Sequence, residues 1–317
     1  MSRLPPEWES HERTLIAWPA REERWDDVDE AADEVAEIAN AVAQFEPVAV
    51  IAAPEEVAGA RARLSGAVDV WEGPLDDAFL RDSGPVVVPD RAIGFTFNGW
   101  GGRWAVEHDA DLPERIAQLL SLPLERSSLV LEGGAFAITA DHTLIAARSC
   151  LLNPNRNPGR KREEVEDELV ERLGVSNVVW LDRGLDSDDD TDGHVDRFLK
   201  PVPSGDVLLQ HVDDDHVDYE VLTEAAHQLQ HAGIDVLLFD VVAFADDDVP
   251  FPYLAGYACN DAIIVPQSGD PVLDERAMEV YRLAFPEREP IGVPAVALAL
   301  GGGGVSSVCL PVPGEPE

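Results

Sequence analysis

Of 317 residues, 62 are acidic and 23 basic, a formal net charge of −39, and 45% are hydrophobic. That apolar share can fill one large core or two modest ones. Nucleic acid is excluded as a partner, because no basic stripe exists to neutralise phosphates. A membrane is excluded as well: no apolar run approaches the about 20 residues of a spanning helix, and MSRLPPEWESHERT lacks the apolar stretch and cleavage site of a secretory signal.

The three cysteines, Cys150, Cys259 and Cys309, are odd in number and far apart. This argues against a disulfide framework and for a reducing, cytoplasmic setting. Only two of the basic residues are lysines, Lys161 and Lys200. Charge of this size fits either a disordered acidic chain or a folded protein adapted to a salty cytoplasm, where repulsion is screened within about 3 Å at 1 M salt. The acids are spread between well-formed apolar segments, which favours salt adaptation.

In chain order, DEAADEVAEIANAVAQF (29–45) has helical spacing and VAVIAA (48–53) reads as a buried strand. Helix EEVAGARARL (55–64) leads to strands VDVWEG, GPVVVP and IGFTFN, then helix ERIAQLLSL (114–122). Strands SLVLEGG, GAFAIT and TLIAAR precede helix REEVEDELVERLG (162–174), followed by NVVWLD, HVDRFLKPV and DVLLQHV. Helix VDYEVLTEAAHQLQHAG (217–233) leads to DVLLFDVV and AIIVPQ, and helix ERAMEVYRLAF (275–285) to EPIGVP and GVSSVCLPV. About five rounds of one helix with two or three strands suggest α/β units repeated around an axis, more than a doubly wound sheet. No linker breaks residues 1–317, so one domain is expected.

Polar groups stand where a bland core would not need them. Asp82 follows Arg81 just before a Gly-Pro turn, and Glu132 ends an apolar strand before Gly133 and Gly134. His194 and Asp196, at i and i+2, would share a face if strand-borne. NGWGGRW (98–104) reads as a mobile glycine-rich loop carrying Trp100. Each alone has an ordinary explanation, a cap, a bulge or a core histidine. Carboxylates and a histidine converging on one cavity would suit a guanidinium, whose rigid fork they match. A thiol or hydroxyl nearby could attack its carbon while the histidine moves protons.

Other segments read differently. HVDDDHVD (211–218) has the residue types of a metal site, but Asp218 or Asp215 capping the following helix is the simpler use. LDSDDDTD (185–192) reads as a solvated acidic loop, and Cys150 and Cys259 as core. The GGGG run is not a nucleotide cradle, because no phosphate-binding lysine follows it.

Nine blocks in order carry a family resemblance: PPEWESHERTLIAWP, DDAFLRDSGP, FNGWGGRW, LEGGAF, SCLLNPNRNP, TDGHVDRF, VPQSGDP, AFPEREPIGV and GGGG. Nearly end to end, the chain resembles the agmatine deiminase and bacterial-type peptidylarginine deiminase family. The resemblance implies a five-bladed α/β propeller of pseudo-fivefold ββαβ-type repeats, and hydrolysis of a small cationic guanidino substrate, most of all agmatine, with release of ammonia. Free or peptidyl arginine, amidino transfer and binding without turnover stay open. It implies no metal or organic cofactor, and self-association into a homo-oligomer is left open.

By the same resemblance, Asp82 and Asp196 would grip the guanidinium, Trp100 would line the substrate site, and Glu132 would orient His194, the proton carrier. The attacking group is less direct. The family motif after the glycines reads Ile-His-Cys, where this chain has Val305, Ser306 and Ser307, with Cys309 two places on. On a strand, positions 307 and 309 would share a face about 6–7 Å apart. Either Cys309 is brought into the catalytic position, or Ser307 attacks, or the chain binds without hydrolysing.

Overall fold

A hairpin, a helix and a third strand parallel to the hairpin's second strand recur along the chain. The computed structural model describes residues 2–246 and 249–314. These form two compact units.

The first unit collects Met1–Pro6, Pro85–Val106 and Pro113–Asp240. Strands Val86–Val88 and Arg91–Thr96 pair antiparallel, and Leu124–Val130 adds parallel to the second. Phe136–Ile138, Thr143–Ala147 and Asn177–Leu181 repeat the pattern across helix Arg162–Leu173. Leu199–Pro201, Val207–Gln210 and Val236–Phe239 repeat it across helix Tyr219–His231. A right-handed helical crossover is the ordinary way to return a strand parallel to its neighbour. The helix of residues 162–173 turns its Val165, Leu169 and Leu173 face onto Leu129, Leu144 and Ala146, all fully buried.

The second unit, Glu7–Gly84, Glu107–Leu112 and Val241–Glu317, holds a sheet in which Cys309–Pro313 pairs antiparallel with His11–Ala17, which runs parallel to Val48–Ala52 and so to Val68–Glu72. Its other three-stranded sheet joins Tyr257–Cys259, Ala262–Gln267 and Glu289–Pro294. Asp27 starts the helix Val28–Val42 by accepting from Asp29 and Glu30 backbone N–H groups. Asp270 does the same for Pro271–Ala284, whose first residue is proline. Among the described residues no helix is long and apolar enough to cross a membrane.

Four local expectations are corrected. His194 and Asp196 are not on a strand: Val195–Arg197 is a turn of 3-10 helix. Residues 305–308 form a helical turn, and the strand begins only at Cys309, so Ser307 and Cys309 do not share a strand face. Alternation of apolar and small residues there is too short to separate helix from strand. Asp218 stands at the start of its helix without capping it, because both carboxylate oxygens accept from Ser187 instead. The segment 185–192 is not uniformly solvated: the Asp188 side chain is 1% exposed and accepts from Thr191 and Gly193.

In the second unit Asp109 is 2% exposed and exchanges backbone bonds with Asp76, accepting from its N–H at 2.8 Å. Burial lifts its pKa to about 7, and the charges of Asp76 and Asp77 push the same way. The folded state therefore holds this proton where the unfolded chain, near its ordinary 3.8, has lost it. Stability falls as pH rises through that window. Asp109→Asn should remove this loss, on the order of a few kcal/mol. Urea unfolding at pH 5 and pH 7.5 checks it; an unchanged pH slope in the variant would contradict it.

Candidate active site

The predicted residues divide between the units. Trp100, Glu132, His194 and Asp196 belong to the first, and Asp82, Ser307 and Cys309 to the second.

In the first unit the glycine pair after Glu132 makes the site. Gly133–Ala135 is a 3-10 turn that bends the chain at the strand end. A Cβ on Gly134 would stand 2.6 Å from His194 Nδ1 and 2.8 Å from Asp196 Oδ2. Both side chains thus lie against a residue that has no side chain. His194 Nε2 is 3.7 Å from Glu132 Oε2, and both side chains are at most 4% exposed. The His194 backbone N–H donates to Thr191 Oγ1 at 3.0 Å, fixing where the ring starts.

Sequence reasoning missed the residue that makes this pair tenable. Arg156, with no side-chain exposure, donates from Nε to Glu132 Oε1 at 2.6 Å. Its Nη1 donates to Asp192 Oδ2 at 2.7 Å and its Nη2 to the Thr191 carbonyl. Burial alone would raise the Glu132 pKa, but His194 and Arg156 outweigh it and hold the carboxyl below its ordinary range. A signal existed: Arg156 is a lone base amid SCLLNPNRNP in a chain poor in bases.

Cys150 was also underread. It packs in the apolar core as expected, yet its Sγ lies 4.0 Å from Glu132 Oε2. Burial pushes the thiol up, and the Glu132 charge adds to that. Glu132, Cys150 and His194 offer ligand atoms within 4.8 Å of one another. The Arg156 charge on the same carboxylate opposes a dication there, so the set fits a metal poorly.

The Trp100 loop is held, not loose. Trp100 has φ 53° and ψ 53°, a left-handed conformation costly for a bulky residue, and glycines 99, 101 and 102 also have positive φ. Its ring is 7% exposed and meets Phe97 edge-on at 4.9 Å. Asn98 accepts from the Gly101 N–H, and Arg103 donates to the Trp100 carbonyl at 2.8 Å.

In the second unit Asp82 sits in the helical turn Leu80–Ser83 and is 8% exposed. Arg81 donates to the Ser306 carbonyl at 3.0 Å and to Glu7 at 2.6 Å, tying that turn to the one carrying Ser307. Ser307 is half-buried, and its Oγ accepts from the Gly304 N–H at 3.0 Å. Cys309 is 0% exposed and lies opposite Ile16 in the sheet. Burial pushes its thiol well above the ordinary value, outweighing the pull of Arg81. A thiol so placed has little thiolate character.

Residues 3–313 match the family model described as Porphyromonas-type peptidyl-arginine deiminase. An agmatine deiminase of Stutzerimonas stutzeri is 35% identical, with 96% of this chain and 94% of that protein covered. One of Medicago truncatula is 33% identical over the same shares. The solved agmatine deiminase of Enterococcus faecalis superposes with a TM-score of 0.91 at 27% identity, covering 99% of this chain and 96% of that one. The α/β fold is thus similar to that of agmatine deiminases.

Gly134→Ala should displace His194 and Asp196 together. The expected cost is about 1–3 kcal/mol, read as a lower urea midpoint. An unchanged midpoint with both side chains unmoved in a crystal structure would contradict the packing described.

Proposed function

The chain belongs to the Porphyromonas-type peptidyl-arginine deiminase family, and from that premise we propose that it hydrolyses the guanidinium of agmatine to a ureido group with release of ammonia. One observation carries this reading: ionised Glu132, His194 and Asp196 gathered at Gly134. The relatives named agmatine deiminase favour agmatine over arginine as substrate.

In the proposed reaction Asp82 and Asp196 take the guanidinium N–H groups, and Trp100 lines the substrate site. A nucleophile gives its proton to His194 as it adds to the central carbon, and His194 passes that proton to the departing ammonia. His194, held by Glu132, then takes a proton from the water that attacks the amidino intermediate and returns it to the nucleophile as the ureido product leaves. Between the two candidate nucleophiles, Ser307 is favoured by its exposure. Cys309 would have to leave a core in which it has no exposure. A serine hydroxyl is the weaker nucleophile at neutral pH, so turnover is expected to be slow.

A specific observation favours a second reading, guanidino binding without turnover: among the described residues all three cysteines are buried. Four hairpin–helix–strand repeats and a fifth sheet in which the last strand pairs with the first support reading residues 1–317 as one five-bladed α/β propeller domain. The acid excess supports adaptation to a salty cytoplasm.

Incubation with agmatine in about 1 M KCl, where charges are screened beyond ~3 Å, should give ureido product and ammonia in equal amounts. Activity and melting temperature should both fall in about 0.1 M KCl. His194→Ala and Glu132→Gln should each lose roughly 100-fold or more. Ser307→Ala should abolish turnover, Cys309→Ala should leave it, and Ser307→Cys should raise it. Loss confined to Cys309→Ala would return the attack to the thiol. Tight agmatine binding with no product, and product from Ser307→Cys, would establish the second reading.

A further inference from the structure

Asp192 is absorbed by none of the roles above, yet it lies where two arginines meet. Arg103 grips it bidentately, Nη1 to Oδ2 at 2.7 Å and Nη2 to Oδ1 at 2.9 Å. Arg156 and Asn155 both donate to Oδ2, at 2.7 and 3.0 Å. Each arginine has a second task. Arg103 holds the Trp100 carbonyl, and Arg156 holds Glu132.

The chain of contacts thus runs from the Trp100 backbone through Arg103, Asp192 and Arg156 to Glu132 and His194. From Trp100 to Glu132 its links are short charge-assisted bonds, the kind with the most geometric definition, and the last, Glu132 to His194, is an ion-pair contact at 3.7 Å. Asn155 braces the middle, donating to Asp192 and accepting from Arg156 at 2.9 Å. Its carbonyl accepts from Asn98, which in turn holds Gly101. A Cβ at Gly101 would collide with Arg156 and Asn155, so the loop must stay slim to pass them.

Two features show that local preference does not maintain this arrangement. Trp100 and Asp192 are both non-glycine residues at positive φ, 53° and 63°. Such strain persists when surrounding contacts over-determine it. Burial of Asp192 is outweighed by Arg103, Asn155 and Arg156, so the carboxylate stays charged across the physiological range.

We propose that Asp192 is a positioning residue that sets the Trp100 loop and the Glu132–His194 pair together, through Arg103 on one side and Arg156 on the other. The substrate-facing roles at its two ends rest on the deiminase reading; the coupling itself does not.

The test separates the two. Protein labelled with 5-fluorotryptophan gives a 19F resonance for Trp100, assigned with Trp100→Phe, while the His194 imidazole resonances are assigned with His194→Ala. Asp192→Asn should shift both sets of lines, and Arg103→Lys, which keeps charge but not the fork, should shift the Trp100 line alone. Should Asp192→Asn fail to fold, Asp192→Glu supplies the same comparison with the charge kept. If turnover is measurable, Arg103→Lys should raise KM with kcat nearly unchanged, and Asp192→Asn should also lower kcat about tenfold or more. Asp192 variants that move one site only, or neither, would overturn the coupling whether or not the protein turns over agmatine.

Discussion

A buried guanidinium is the interaction on which the first unit's polar interior depends. Arg156 has no exposure, and every partner it meets is a carboxylate or an amide or peptide oxygen. Glu132 stays ionised at 1% exposure because His194 and Arg156 together outweigh its burial, whereas an unpaired buried carboxylate takes up a proton instead. Removing one partner of such a pair costs about 3–5 kcal/mol, far more than a surface ion pair contributes. His194 is held in turn by a charged Glu132, so its imidazole inherits its orientation from Arg156 through that carboxylate.

The repeat was legible because each round carries its own punctuation. Apolar strands, glycine or proline turns and an amphipathic helix follow one another at a regular spacing, and the sheets take up that order. Glu132 was legible for the same reason, as a charge at the end of an apolar strand before two glycines. The geometry of His194 and Asp196 was not. Three residues between a glycine turn and an apolar strand carry too little periodicity to separate 3-10 helix from extended chain, and the same brevity hid the helical turn at Ser307. Arg156 left one faint signal, a base inside SCLLNPNRNP, and Asp192 left none, because a pairing 36 residues apart makes no local pattern.

The second unit poses a different physical question. Its polar turns are tied by Arg81, which spans Glu7 and the Ser306 carbonyl, so the position of Ser307 is fixed by the same kind of fork that fixes Glu132. The sheet keeps Cys309 dry and uncharged, as a small apolar residue in a strand is kept. Placement and intrinsic reactivity therefore favour opposite residues, the hydroxyl for its exposure and the thiol for its chemistry.

Protonation of Glu132 is the most direct measure of whether this electrostatic frame exists. The carboxyl carbon resonance of Glu132, assigned by its loss in Glu132→Gln, can be followed as pH is lowered from neutrality in high salt. The frame predicts a single ionised species down past the ordinary glutamate value of about 4.3. Proton uptake at or above that value would mean that His194 and Arg156 do not hold the charge, and that the pair with His194 is not the one described.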